Sequence, residues 1–383
     1  MAEKLLFVLN DAGYFLSHRL PIALAAKKSG FEVHVATPDS DKTTLIRAHG
    51  LIFHPWSLTR SGINPFTEIS AFFALARLFR RIKPDVLHLV TIKPVIYGGM
   101  AARLLRVPAV VVAVPGLGFV FSGRGFKAGI LRSLVSRLYR AALKHPCLCA
   151  IFQNSENAEL VSRLAGLQSA QICLIRGAGV DLTTYAFTPL PSEHDAPLVM
   201  LPARLLRAKG VMEFVEAARQ LRKNGVPARF ALVGATDAGN PDTVSEQDIA
   251  HWAAEGAVEY WGYRADMPTV LALSSLVVLP SYYPEGLPRV LIEAQACGRA
   301  VITTDHPGCR AAITPDVSGL LVPVRDAVAL AKAMARLLND WERLQAMGKA
   351  GRALAEEAFD VRQVVARHLE IYRSLLQAVQ ENP

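Results

Sequence analysis

Acidic residues are scarce in the first 180 positions, where nine Asp and Glu face 22 Lys and Arg, a balance of +13. Residues 181–383 carry 20 basic against 24 acidic side chains, so the whole net charge of +9 comes from one half of the chain. A basic half attracts nucleic acid, anionic lipid head groups or phosphorylated ligands. Zinc-finger spacing, an aromatic RNA-binding signature and any long Lys/Arg tract are missing, which sets nucleic acid aside and favours lipid or phosphate. Cysteine is sparse too: five in all, an odd number that suits a reducing compartment better than a disulfide framework. Cys147 and Cys149 lie two apart with no second pair nearby, which speaks against a metal site. Long apolar runs are absent. The uncharged stretches 107–123 and 267–284 are broken by Pro, Gly or Ser and read as strand, turn and helix pieces rather than a membrane span. Residues 4–10 look like a first buried strand and not a cleavable signal, so a cytoplasmic protein is expected.

With 51% hydrophobic and 20% charged residues in 383, the chain is globular and long enough for two domains of roughly 180 residues each. Short apolar runs alternate with helical patterns. Strands are predicted at 5–10, 32–37, 86–89, 109–114, 148–153 and 172–175, then at 198–201, 229–233, 258–261, 276–279, 300–303 and 319–322. The Pro-rich stretch 188–197 between the two sets cannot continue a helix and reads as a linker. This is an α/β pattern of two doubly wound parallel sheets, with domains expected at 1–187 and 188–365 and a terminal helix, 366–383, returning to the first domain. Ligands of such sheets bind beyond the strand carboxyl ends, so two facing domains would share a cleft.

Three segments carry candidate chemistry. In 284–298, a helix is expected from Leu287 to Cys297 with Pro288 in its first turn and Gly298 as its stop. Glu285 precedes that helix and Glu293 lies two turns inside it, on the order of 10 Å away at 1.5 Å rise per residue, too far for a glycosidase acid/base pair. Free N–H groups at Gly286 and Leu287 would suit a phosphate or sugar oxygen, and the carboxylates would accept from sugar hydroxyls. A plainer alternative makes Glu285 a dipole partner and Glu293 a surface helix residue. In 201–210, Arg204 follows a strand and Lys209 opens a helix, so both could meet one diphosphate, or be merely solvated charges. After the first strand, 10–21 lacks G-x-G-x-x-G, which weakens a dinucleotide reading. Gly13 there permits close backbone approach, and His18 or Arg19 could contact an anionic acceptor, unless His18 is a structural imidazole. Lys93 and the 116–118 turn follow other strands of the same domain.

The Glu285…Glu293 pair resembles the E-x7-E motif of the retaining glycosyltransferases of family 4, and Arg204…Lys209-Gly210 resembles their diphosphate-binding pair. The resemblance covers essentially the whole chain and implies the two-Rossmann GT-B fold. It is closest to bacterial transferases, N-acetylgalactosaminyltransferases among them, that build polyprenyl-diphosphate-linked oligosaccharides. By resemblance, Arg204 and Lys209 would hold the donor diphosphate, Glu285 the donor sugar and Glu293 the ribose. Gly13 would lie beside the phosphates, and Tyr263 and Arg264 would border the base. His18, Arg19 and Lys93 would face the acceptor. Many relatives have a His where this chain has Pro115-Gly116, so no role is carried over to that position.

The expected reaction moves a sugar, such as N-acetylgalactosamine from a UDP-N-acetylhexosamine, to a polyprenyl-diphosphate-linked saccharide with retention. No cofactor and no metal is expected, since Asp-x-Asp is lacking and cationic side chains would replace Mg²⁺. A sugar-nucleotide epimerase of the same architecture would isomerise donor without acceptor, and an inactive scaffold would bind lipid without making product. The helical pattern 126–145 could lie on an anionic inner leaflet, with Ile130, Leu131, Leu134, Val135 and Leu138 on one face and Arg137, Arg140 and Lys144 elsewhere. A core-facing helix with a basic outer side is the alternative. The expected place is the cytoplasmic face of the inner membrane, peripherally attached.

Overall fold

The computed structural model describes residues 2–58, 64–114, 126–193, 195–284 and 286–381, with side chains omitted at 65, 126–132 and 134. Two compact units form. Unit 1 comprises 1–178, 284–286 and 362–383, and unit 2 comprises 179–283 and 287–361. Unit 1 holds a seven-stranded parallel sheet: β1 (Lys4–Val8), β2 (Glu32–Thr37), β3 (Ile52–Pro55), β4 (Val86–Val90), β5 (Ala109–Val114), β6 (Leu148–Phe152) and β7 (Ile172–Leu174), in the order β3-β2-β1-β4-β5-β6-β7. Unit 2 holds six: β8 (Leu198–Pro202), β9 (Arg229–Val233), β10 (Glu259–Tyr260), β11 (Leu276–Leu279), β12 (Ala300–Thr304) and β13 (Gly319–Val322), in the order β10-β9-β8-β11-β12-β13. Every strand pair is parallel. These are the two Rossmann-like sheets that the alternation of apolar runs and helical patterns implied.

The central strands read as continuous apolar runs because helices cover both of their faces. The six residues of β5, Ala109–Val114, are all buried. The first unit ends at 178 rather than 187 because 179–187 is already bound into unit 2. Val180 donates to the Phe359 carbonyl at 2.7 Å and accepts from Val361 at 3.0 Å. The Pro-rich stretch therefore lies inside unit 2, and Arg299 anchors it. That guanidinium, fully buried, donates to the carbonyls of Thr188, Pro189, Leu271 and Ala272 and to the Thr188 hydroxyl.

Helix Phe126–Leu143 is core-facing at every described apolar position. Val135, Tyr139 and Leu143 are buried and Leu138 packs against the same cluster, while Arg137, Arg140 and Lys144 are exposed. The expectation of a free apolar face is corrected at Val135 and Leu138, which cover β4 to β6 and are removed from any lipid surface; the side chains of Ile130, Leu131 and Leu134 lie outside those described.

Helix Val361–Glu381 closes the other face of the unit 1 sheet, contributing Val364, Ile371, Tyr372 and Leu376 to the core beneath β1. Its polar side chains are buried as well. The Tyr372 hydroxyl lies 2.5 Å from His88 Nδ1, the His88 and His368 rings stack with centroids 5.6 Å apart, and His368 Nδ1 bonds the Val364 carbonyl at 2.7 Å. Burial holds both imidazoles neutral, with Arg19 adding repulsion; His88 falls well below its usual range and His368 falls to about 3. The unfolded chain then takes up protons below pH 6.5 that the folded chain refuses, so stability is lost as pH falls through that value, by about 1.4 kcal/mol per pH unit for each imidazole. Urea melts of wild type and His368→Leu at pH 7 and pH 5 should show the shallower pH dependence in the variant. Parallel losses in both proteins would mean that His368 carries none of it.

Candidate active site

A doubly wound sheet leaves a crevice at the carboxyl ends of the two strands where its order reverses. In unit 2 those strands are β8 and β11, and the turns that follow them are the two segments singled out above. Arg204 lies two residues beyond β8, and Lys209 ends the 3-10 turn Arg207–Lys209 ahead of helix Val211–Lys223. Backbone contacts lash the turns together. The Ala208 carbonyl accepts from Tyr282 N–H at 2.9 Å and from the Ser281 hydroxyl at 3.3 Å, and Ala208 N–H donates to Asp242 at 2.8 Å. Gly210 makes this possible twice over. Its φ of +78° is the left-handed value that closes the turn, and a Cβ there would stand 2.3 Å from the Pro280 carbonyl oxygen.

The charges are arranged unevenly. Arg204 is half-exposed and pairs with Asp237 at 2.8 Å. Lys209 is buried, with its ammonium 5.2 Å from the centroid of the Tyr283 ring. Arg325 stacks over Tyr282 at 4.5 Å. Glu213, in the first turn of the helix after Lys209, buries an oxygen that has no hydrogen-bond partner among the described residues. Desolvation raises its pKa, and Arg325 offsets part of that shift. Asp237, Glu213, Tyr282, Tyr283 and Arg325 escaped the sequence reading. Only Glu213 left a signal there, as an acid in a helix first turn.

Glu285 lies outside the described residues, as do the 116–118 turn and Pro115-Gly116. The helix after β11 runs Arg289–Ala296 with Pro288 as its N-cap, not from Leu287. Proline disfavours the helical region for the residue before it, so Leu287 cannot be the first helical residue. Gly286 and Leu287, both buried, therefore precede the helix rather than offer its first N–H groups, and that expectation is corrected. Glu293 is not a surface residue. It is buried, pairs with Arg289 Nε at 2.8 Å and engages the Tyr185 hydroxyl; burial raises its pKa and both partners pull it back. Tyr263 is 75% exposed, and Arg264 is held by Asp266 through contacts of 2.8 and 2.6 Å. They follow Gly262, whose carbonyl accepts from Gly234 N–H at 2.8 Å beyond β9.

In unit 1 the order reverses between β1 and β4, and again the picked residues follow those strands. Asp11 caps helix Ala12–His18, accepting from Tyr14 N–H at 2.6 Å, and a Cβ on Gly13 would stand 3.0 Å from the Lys42 ammonium. His18 stacks on Tyr14 at 4.1 Å and bonds the Ser17 hydroxyl at 2.7 Å. Lys93 is matched by Glu68 at 2.6 Å, and Glu68 also accepts from the Tyr97 hydroxyl. Arg19 differs from these. It is 2% exposed and makes no ion pair among the described residues; its Nη1 donates to the His18 carbonyl at 3.2 Å, while its Nε has no hydrogen-bond partner among the described residues. With Gln153, Gly177 and His368 it lines a cavity of about 10 Å³ at the carboxyl ends of β5 to β7, room for one water or one phosphate oxygen. Thr91, at the end of β4, has φ +74°, a strained value for a β-branched residue, and its buried hydroxyl is unbonded among the described residues.

Residues 186–354 match the model of the glycosyl transferases group 1, and residues 4–146 match that of the glycosyl transferase 4-like domain. Over 97% of its length the chain is 32% identical to the N,N'-diacetylbacillosaminyl-diphospho-undecaprenol alpha-1,3-N-acetylgalactosaminyltransferase of Campylobacter jejuni, of which it covers 99%. The chain belongs to this glycosyltransferase family. A second relative, the UDP-Gal:alpha-D-GlcNAc-diphosphoundecaprenol alpha-1,3-galactosyltransferase of Escherichia coli, is 25% identical over 81% of the chain and 80% of that protein. The same fold is seen in Anabaena Alr3699/HepE, solved with UDP, at TM-score 0.79, 22% identity and coverage of 98% of this chain and all of that one. The sucrose-phosphate synthase of Thermosynechococcus elongatus shares it at TM-score 0.80 and 21% identity, over 98% of this chain and all of that one. In this glycosyltransferase, the backbone lash between the 203–210 and 280–283 turns is testable apart from activity. Gly210→Ala adds both a positive-φ penalty and a clash, whereas Gly225→Ala, at φ +74° with open space around it, adds only the first. Urea melts should show a loss of about 1 kcal/mol for the Gly225 variant and 1–2 kcal/mol more for the Gly210 variant; equal losses would dismiss the lash.

Proposed function

We propose that this glycosyltransferase moves a sugar from a UDP-sugar, an N-acetylhexosamine such as N-acetylgalactosamine, to a saccharide carried on a polyprenyl diphosphate, with retention and without a metal. The observation that carries the reading is the end-to-end similarity to a transferase whose named acceptor is an undecaprenol-diphosphate saccharide. The reversal point of the unit 2 sheet agrees with it. Arg204, Lys209 and the start of helix Val211–Lys223 lie together at one strand end, the combination that suits a pyrophosphate.

As the sugar leaves, the C1–O bond to the diphosphate breaks and charge grows on its oxygen. The acceptor hydroxyl forms the new C1–O bond on the same face and gives its proton to that departing oxygen. Lys209 and Arg204 stabilise the leaving diphosphate more than the intact donor, because they meet charge that develops only as the bond breaks. Glu285 and Glu293 would accept from donor hydroxyls, with Tyr263 and Arg264 beside the base. By the family resemblance Gly13 would serve the donor phosphates, and His18, Lys93 and above all Arg19 would serve the acceptor. A buried guanidinium without a carboxylate is costly unless an anion completes it, and an acceptor phosphate oxygen would do so.

The protein would work as a peripheral enzyme on the anionic cytoplasmic face of the inner membrane. The surplus of basic residues in the first half supports that, and no helix among the described residues is long and apolar enough to cross a membrane. A panel of UDP- and GDP-sugars offered with a polyprenyl-diphosphate disaccharide should give product with one UDP-N-acetylhexosamine; product only from GDP-sugars, or donor isomerised without acceptor, would reject the reading. Lys209→Ala and Arg204→Ala should each weaken UDP binding in calorimetry by about 1.5–3 kcal/mol, the worth of a charged hydrogen bond. Glu285→Gln should lower kcat with UDP affinity kept.

A further inference from the structure

Helix Pro65–Ile82 of unit 1 exposes several large apolar side chains along one side. Phe66 is 83% exposed, Ile69 55% and Phe73 59%, whereas every other helix exposes at most one large hydrophobic residue among its described side chains. At 100° per residue, Phe66, Ile69, Phe73, Arg77 and Arg80 fall within an arc of about 80°. Ala71, Leu75, Leu78, Phe79 and Ile82 occupy the opposite side and are buried against β4 and its neighbours. The stripe is therefore not a core face left half covered; the helix already has its core face elsewhere.

Along the stripe the chemistry changes in one direction. Its first half is aromatic and aliphatic, and its second half is cationic: Arg77 and Arg80 are exposed and make no ion pair among the described residues, with exposed Arg81 and Lys83 just beyond. Glu68 is the helix's one acid, and it points away into the ion pair with Lys93 and the hydrogen bond from Tyr97. That leaves the outer face with no negative charge. A protein surface would bring carboxylates to the arginines but gain little from three bulky hydrophobic groups in a row on a convex helix. A bilayer satisfies both halves, since phenyl and sec-butyl groups enter the acyl boundary while arginines stay at anionic head groups.

We propose that the Phe66–Ile69–Phe73 stripe, with Arg77 and Arg80, is the surface by which this protein docks on an anionic lipid bilayer. The Glu68–Lys93 ion pair places it beside residues of the β4 strand end assigned to the acceptor, so docking would bring that strand end to the level of a lipid diphosphate. The inference rests on the reading that the acceptor is membrane-borne, but its test needs neither acceptor nor donor.

The purified full chain is sedimented with phosphatidylglycerol–phosphatidylcholine vesicles and with pure phosphatidylcholine vesicles. The wild type should bind the anionic vesicles preferentially, and Phe66→Ser/Ile69→Ser/Phe73→Ser should lower partitioning by about tenfold or more, because the inserting apolar area is gone. Far-UV circular dichroism and melting should be unchanged, since the three side chains contribute little to the core. Arg77→Glu/Arg80→Glu should abolish the preference for anionic lipid. Undiminished binding by the triple serine variant would overturn the proposal. So would loss of binding on Arg137→Glu/Arg140→Glu/Lys144→Glu with binding retained by the serine variant, which would move the contact to helix Phe126–Leu143. A wild-type dimer that the serine variant dissociates, with neither protein binding vesicles, would also overturn it and make the stripe a self-interface. Transfer to a short-chain soluble acceptor, measured alongside, should be equal in wild type and the serine variant; absence of transfer in both would fail the reaction assigned above and leave the vesicle result standing.

Discussion

The donor chemistry proposed for this chain depends on backbone touching backbone. Where β8 and β11 diverge, the Ala208 carbonyl receives two hydrogen bonds from the turn after β11, and Gly210 lies against Pro280 with no room for a side chain between them. Those contacts fix the height of Lys209 and the entry of the following helix. A long flexible lysine gains catalytic value only when its ammonium is held where charge will appear. In the proposed reaction, burial of Lys209 beside the Tyr283 ring face would hold its ammonium in place.

The neighbouring cations are treated differently, and the contrast sorts their roles. Arg204 keeps an aspartate, Lys93 a glutamate and Arg264 an aspartate. Each of these pairs is partly solvated and so costs little to open when a ligand competes. Lys209 and Arg19 are the buried ones. They sit at strand carboxyl ends, one in each unit, in surroundings where an anion would be bound strongly because water is excluded.

Much of this arrangement was legible in the sequence, for physical reasons. The six strands of unit 2 showed as short apolar runs, because all but the two-residue β10 are largely buried. β3 did not, since Ile52–Pro55 is a four-residue edge strand that ends in proline and has too few residues to alternate. The site was half legible. Arg204, Lys209 and Glu293 could be picked as candidates because each lies at a fixed distance from a glycine or proline turn. Asp237, Arg325 and Tyr185 could not, because they come from loops far away in sequence. The same limit explains the lipid-facing reading of Phe126–Leu143. Periodicity identifies an apolar face but not its neighbour, and only the packed sheet shows that Val135 and Leu138 face the core while Phe66 and Phe73 face outward.

Unit 1 is completed by residues that come after unit 2. Tyr372, His368 and Ile371 are built into the core beneath β1, yet 362–381 follow the whole of 179–361 in the chain. During vectorial synthesis the seven-stranded sheet must therefore wait, with part of one apolar face uncovered, while the second unit is made and folds. The first-made half of the protein is the last to be finished, and the uncovered part of its sheet is the surface a chaperone would meet on the nascent chain.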